Sequence, residues 1–86
     1  MVDEANLETH GFDPSFAHNA ANPACRPEWA AACLDRAVRM HARDRNHACI
    51  TIWSLGNEAG YGPAHAAMAA HLRAADPSRP VQYEAR

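Results

Sequence analysis

Short apolar runs alternate with apolar stripes of helical period along this chain. The four consecutive β-branched or aromatic residues from Ile50 to Trp53 predict a strand over Cys49–Leu55 that is buried on both faces. Val2–Leu7 and Val81–Glu84 predict further strands before and after it. Because a helical pattern separates each pair of strands, the predicted order is β-α-β-α-β. Such alternation implies parallel strands with right-handed crossovers.

Proline starts both predicted helices. Pro27 begins a helix that runs to about Arg43, and Pro63 begins a second one that runs to about Ala75. Each helix carries one apolar stripe: Trp29, Ala30, Cys33, Leu34, Ala37 and Met40 on the first, and Ala64, Met68, Leu72 and Ala75 on the second. The prolines in Asp76-Pro77-Ser78-Arg79-Pro80 end the second helix.

Three parallel strands with two helices do not make a complete domain. Both crossover helices fall on one face, whereas parallel sheets are normally covered on both faces or closed into a barrel of about 250 residues. The 86 residues are enough for one small domain, but the predicted order has no closing element. The predicted fold class is therefore α/β, with residues 1–86 forming a piece of a larger catalytic domain.

Composition excludes some function classes. The chain has a net charge of −2 and all eight of its basic residues are arginine, which gives no support to binding nucleic acid or an anionic membrane. No apolar run approaches the roughly 18 residues of a membrane span, and the first residues do not resemble a signal peptide. Three cysteines without a close pair predict reduced thiols in a cytoplasmic protein and no zinc site.

Glu58 is the sharpest catalytic candidate. It follows a buried strand through Gly56 and Asn57, and the carboxyl ends of parallel strands are where an α/β barrel keeps its chemistry. Burial there raises the pKa of a carboxylic acid toward the range useful for proton transfer. The adjacent Asn57 offers an amide suited to a sugar hydroxyl. The competing interpretation is a glutamate that only begins the following helix.

Glu8 and His10 are candidate metal ligands. Residues two apart share a face of a strand, so these two side chains point the same way if the segment stays extended. With Glu58 they make two carboxylates and one imidazole at the ends of neighbouring strands. Such a set can hold Mg²⁺, with water in the remaining positions. Taken alone, a histidine near a loop is more often only hydrogen-bonded.

Four stretches resemble the β-galactosidases of glycoside hydrolase family 2. The resemblance covers essentially all 86 residues, in the family's order and spacing. The stretches that carry it are Asp3-Glu4-Ala5-Asn6-Leu7-Glu8-Thr9-His10-Gly11, Arg43-Asp44-Arg45-Asn46-His47, Ile52-Trp53-Ser54-Leu55-Gly56-Asn57-Glu58 and Asp76-Pro77-Ser78-Arg79-Pro80-Val81-Gln82-Tyr83-Glu84.

The resemblance implies a (β/α)8 TIM barrel inside a multidomain chain, of which this segment runs from the end of the third strand to the start of the fifth. Glu58 then matches the acid/base, and Glu8 and His10 match the residues that bind Mg²⁺ together with it. Asn57 matches an asparagine that contacts the substrate near its 2-hydroxyl. The nucleophile belongs to the seventh strand, outside this chain, and Glu84 does not match its motif.

The expected function is that of a retaining β-galactosidase, which hydrolyses terminal β-D-galactosides such as lactose. The resemblance implies that the full-length enzyme is a homo-oligomer. The alternatives are another β-glycosidase of the family, such as a glucuronidase or mannosidase, and a non-enzymatic remnant or complementing piece. Without the nucleophile, the 86-residue chain alone is expected to be inactive.

Overall fold

Three strands and two helices alternate along the described part of the chain, as the hydrophobic pattern predicts. The computed structural model describes residues 1–9, 24, 26–57 and 62–84. Its elements are β1 (Val2–Glu4), α1 (Ala30–Asp44), β2 (Ile52–Asn57), α2 (Pro63–Ala75) and β3 (Val81–Glu84). The 3-10 turn Pro27–Trp29 directly precedes α1.

The sheet has the order β1-β2-β3, and both pairs are parallel. Trp53 is in register with Asp3 on one side and Val81 on the other. The β-α-β-α-β prediction is confirmed. Since all three strands run the same way, their carboxyl ends lie along one edge of the sheet.

The strand bounds differ from the prediction. The β2 strand begins at Ile52, because the Ile50 amide donates to His47 O at 3.1 Å and closes a turn. It continues to Asn57, two residues beyond the predicted end at Leu55. The β1 strand ends at Glu4, and the Leu7 amide turns back to Ala5 O at 2.8 Å. Regular strand structure therefore does not extend to Glu8.

The helices pack on one face of the sheet, and the core lies between the two layers. Trp53 is fully buried at its centre. The predicted stripes supply the rest: Cys33, Ala37 and Met40 from α1, and Ala64, Met68 and Leu72 from α2. Trp29, half of whose surface is exposed, and the exposed Ala75 do not join the core as predicted.

Asp76 joins the core to the turn between α2 and β3. Its Oδ2 accepts hydrogen bonds from Trp53 Nε1 at 3.1 Å and from Arg79 Nη1 at 3.0 Å. The Arg79 guanidinium lies 5.2 Å from the centre of a Trp53 ring and also donates to the carbonyls of Arg45 and His47. The segment of residues 76–80 was predicted only to end α2. Its contacts also join the turn between α1 and β2 to the turn between α2 and β3, at the amino-terminal edge of the sheet.

The opposite face of the sheet is mostly polar. Ser54 Oγ donates to Glu4 Oε1 at 2.9 Å on this face, and Gln82 lies exposed beside them. In the described part of the chain no helix covers it. No described helix is long and apolar enough to cross a membrane.

Candidate active site at the carboxyl edge of the sheet

Glu8 and Asn57 meet at the edge formed by the carboxyl ends of the strands. Asn57 ends β2, and its Nδ2 amide donates to Glu8 Oε1 at 2.8 Å. The bond joins residues 49 positions apart in sequence. Glu84, the last residue of β3, is in register with Asn57. Two of the four predicted site residues are therefore neighbours.

His10 and Glu58 lie outside the described residues. Among those that are described, no three His, Cys, Asp or Glu side chains are placed to hold a metal ion. The convergence of Glu8, His10 and Glu58 on one cation stays a prediction. The structure places one of these three residues: Glu8 lies exposed beside Asn57, and its Oε1 accepts the Asn57 amide.

A close backbone approach at Gly56 sets this geometry. Gly56 has φ +136°, and a Cβ atom there would overlap the carbonyl oxygen of Leu7. That oxygen accepts a hydrogen bond from the Asn57 amide at 2.9 Å. Glycine is needed here because other residues rarely adopt this conformation and would collide with the neighbouring segment. The segment that leads to Glu8 was expected to continue β1 as a regular strand. It is instead held by the hydrogen bond from the Asn57 amide to Leu7 O, which brings Glu8 beside Asn57.

A cleft of about 230 Å³ opens next to Glu8. Trp29 from the 3-10 turn and Arg36 from α1 form part of its wall. The Arg36 guanidinium donates to Asn6 O at 2.8 Å and holds the segment after β1 against the helix. A concave surface with polar and aromatic groups is typical of small-molecule sites. The sequence pattern predicts no function for Trp29 or Arg36.

Sequence reasoning also missed His65 in α2. The ring is fully buried, and its Nδ1 accepts a hydrogen bond from the Gly62 amide at 3.0 Å. The ring lies 4.5 Å from that of Tyr83, with 32° between their planes. Burial lowers the pKa of His65, so the imidazole is neutral at pH 7. The sequence does contain a signal for this role. His65 lies three residues after the N-cap Gly62, which is the spacing of a capping box.

A raised carboxyl pKa occurs at the other edge of the sheet. Burial, followed by the hydrogen bond to Asp44 and its charge, raises the pKa of Asp3 to about 6. Asp44 is also paired with Arg43 at 2.7 Å, and its own pKa is lowered to about 2. Because β1 begins here, the pair lies away from Glu8 and Asn57. Structural ion pairs can shift pKa values as much as active sites do. We interpret Asp3, Asp44 and Arg43 as a structural ion-pair cluster.

Comparison with known proteins matches the whole chain to one family. Residues 1–86 match the family model described as "Glycosyl hydrolases family 2, TIM barrel domain". A β-galactosidase of Aeromonas hydrophila is 61% identical over 84 residues, which is 98% of this chain and 8% of that protein. β-Galactosidases of Erwinia tasmaniensis and Yersinia enterocolitica are 54% and 51% identical, with the same coverage. The chain spans about 8% of the length of these relatives. It therefore belongs to glycosyl hydrolase family 2 and corresponds to a segment of that family's TIM barrel domain.

Proposed function

We propose that this segment supplies the acid/base half of the active site of a retaining β-galactosidase. The observation that carries the proposal is the 2.8 Å hydrogen bond from Asn57 Nδ2 to Glu8 Oε1. It joins two of the predicted site residues at the edge of the sheet where barrel enzymes carry out their chemistry. The relatives named β-galactosidase support galactosides as the substrate class.

Glu58 is the proposed acid/base. It protonates the departing glycosidic oxygen and then takes a proton from the water that releases the sugar. The nucleophile that forms the glycosyl-enzyme comes from another part of the barrel. This assignment treats β1, β2 and β3 as the third, fourth and fifth strands of the complete barrel.

Asn57 has two proposed contacts. One amide hydrogen is given to Glu8, which leaves Oδ1 and the second hydrogen for the substrate's 2-hydroxyl. Contacts to that hydroxyl strengthen in the transition state of glycoside hydrolysis. The bond to Glu8 fixes the amide plane before substrate arrives, so less side-chain freedom is lost on binding.

Glu8, His10 and Glu58 are the proposed Mg²⁺ ligands. Two of the three donors are carboxylates, the hard oxygen ligands that suit this cation, and Glu8 is exposed at the sheet edge. The bond from Asn57 is the kind of outer contact that orients a ligating carboxylate. When bound, Mg²⁺ would hold the Glu58 carboxylate in place and tune its acidity.

A segment exchange tests the proposed function. The matching 84 residues of the Aeromonas hydrophila β-galactosidase are replaced by those of this chain, giving what is here called the grafted enzyme. We expect it to hydrolyse nitrophenyl β-galactoside with kcat/KM within about tenfold of the parent enzyme, since all proposed site residues are supplied in place.

The isolated 86-residue chain is the matched comparison. We expect no turnover from it, because no glycosyl-enzyme forms without the nucleophile. A folded but inactive grafted enzyme contradicts the proposal and favours the non-enzymatic alternative. A grafted enzyme that prefers β-glucuronides or β-mannosides would assign the segment to another activity of the family.

Removing a proposed ligand should weaken Mg²⁺ binding in the grafted enzyme. We expect Glu8→Gln and His10→Ala each to raise the half-activating Mg²⁺ concentration by about tenfold or more, because each removes or neutralises a ligand. Mg²⁺ is added back after chelation, and both activity and melting temperature are measured. Glu28→Gln, an exposed glutamate before α1, is the control. Unchanged Mg²⁺ dependence in both ligand variants contradicts the site.

A further inference from the structure

We propose that His65 is a positioning residue for the loop that carries Glu58. This inference rests on the proposed role of Glu58 as the acid/base. The geometry behind it is a buried imidazole that holds the first residue after that loop and also packs on the end of the neighbouring strand. Nothing in the family resemblance assigns a role to this histidine.

The first observation is the cap on α2. The Gly62 amide donates to His65 Nδ1, and the His65 amide donates to Gly62 O, each at 3.0 Å. Gly62 has no side chain with which to cap the helix, so the reciprocal pair depends on the imidazole. Because Nδ1 accepts this bond, the proton of the neutral ring is on Nε2. His65 thus takes the place of the Glu or Gln in a capping box.

The second observation is the contact with β3. The His65 ring lies against the Tyr83 ring, with the centroids 4.5 Å apart. Tyr83 is the residue before Glu84, whose register partner is Asn57. His65 therefore joins the start of α2 to the part of the sheet that carries the candidate site. Met68, one turn further along α2, is also fully buried.

These contacts matter because the loop is short. Only residues 58–61 separate Asn57 from Gly62. Asn57 is held by Leu7 O and Glu8 at one end, and Gly62 is held by His65 at the other. The described residues on both sides of the segment that contains Glu58 are therefore each held by hydrogen bonds. Displacement of a reacting group by about 1 Å costs on the order of 100-fold in rate, so such an anchor can set the rate without touching substrate.

The test uses the leaving-group dependence of kcat/KM in the grafted enzyme. A good leaving group such as 2,4-dinitrophenolate departs without a proton, whereas phenol needs general-acid assistance. A misplaced acid therefore slows only the second substrate. We expect His65→Ala to lower kcat/KM about 10- to 100-fold for phenyl β-galactoside and less than about threefold for the dinitrophenyl compound.

The variant His65→Asn separates the effect of the helix cap from the effect of the ring stack. The Oδ1 atom of an asparagine lies near the position of Nδ1, so His65→Asn keeps an acceptor for the Gly62 amide but loses the stack on Tyr83. We expect it to restore most of the phenyl activity. Should His65→Ala fail to fold, the decision falls to His65→Phe, which keeps a ring against Tyr83 but has no acceptor for the Gly62 amide and should show the same selective loss on phenyl β-galactoside. Tyr83→Leu removes the stack and keeps the cap, so it should behave like His65→Asn. His71→Ala, a half-buried histidine on the same helix that packs on His41, is the control.

Glu58→Gln is measured alongside to separate the two proposals. If Glu58→Gln lowers kcat/KM equally for both substrates, the proposed acid role itself is wrong. If Glu58→Gln keeps its activity on the dinitrophenyl compound but His65→Ala loses activity on both substrates equally, only the positioning role is overturned. Parallel loss of activity and melting temperature in the His65 variants, with no leaving-group selectivity, would likewise reduce His65 to a stability residue.

Discussion

Glu58→Gln in the grafted enzyme is expected to lower kcat/KM for phenyl β-galactoside by about 10²- to 10⁴-fold, the contribution typical of general acid catalysis. Glutamine keeps the shape of the side chain but has no proton to give to the phenolic oxygen. Steady-state hydrolysis of phenyl and 2,4-dinitrophenyl β-galactosides measures the effect. The loss should be far smaller for the dinitrophenyl compound, whose leaving group needs no proton.

Azide gives a second measurement of the same role. A retaining enzyme that lacks its general base releases the sugar slowly, because water must be deprotonated as it attacks. Azide is already an anion and needs no base, so it should accelerate turnover of the dinitrophenyl substrate by Glu58→Gln and yield the glycosyl azide. Glu28→Gln is the matched control and should behave like the unsubstituted enzyme. Full activity of Glu58→Gln on phenyl β-galactoside would end the assignment.

Gly56→Ala is expected to lower the free energy of unfolding of the 86-residue chain by about 2–4 kcal/mol. Two costs combine: alanine is strained at φ +136°, and its Cβ would overlap the carbonyl oxygen of Leu7. Relief of the overlap requires the segment after β1 to move away from β2, with loss of the bond from the Asn57 amide to Leu7 O. Urea denaturation followed by tryptophan fluorescence measures the change.

An exposed position on α2 provides the control for Gly56→Ala. Ala66→Ser changes a side chain of similar size at ordinary helical geometry, and its effect should stay below about 0.5 kcal/mol. An unchanged urea midpoint for Gly56→Ala would contradict the close approach at Leu7. In the grafted enzyme the same substitution should also lower kcat, because Glu8 and Asn57 lose their common anchor.

The two edges of the sheet serve different purposes. At the amino-terminal edge, Asp76, Arg79 and Trp53 form a closed set of hydrogen bonds and ring contacts. At the carboxyl edge, Glu8 is exposed and its cleft is open. The Asp-Pro-Ser-Arg-Pro stretch, which contributes to the family resemblance, thus belongs to the stabilising edge. A barrel enzyme needs this division, since the catalytic edge exposes polar groups that contribute little to stability.

Local sequence determined the element order, the parallel topology and the extent of α2 and β3. Helical periodicity, prolines at helix starts and β-branched runs act over a few residues, so their consequences can be predicted without the rest of the chain. The same local signals pointed to the edge where Glu8 and Asn57 are found. The local sequence also pointed to Glu58 as a candidate catalytic residue. The binding of one metal ion by Glu58 and His10 remains a prediction.

Only the tertiary structure decided how the strand ends meet. The pairing of Asn57 with Glu8 joins residues 49 apart, and it depends on the path of the backbone past Gly56. The extension of β2 to Asn57 and the packing of His65 on Tyr83 depend likewise on neighbours distant in sequence. Periodicity predicted most of the residues that face the core, because burial follows a repeating geometry, although Trp29 and Ala75 at the ends of their stripes are exposed. Periodicity does not fix which polar atoms become partners, because a bond of about 3 Å depends on strand register and on single backbone angles.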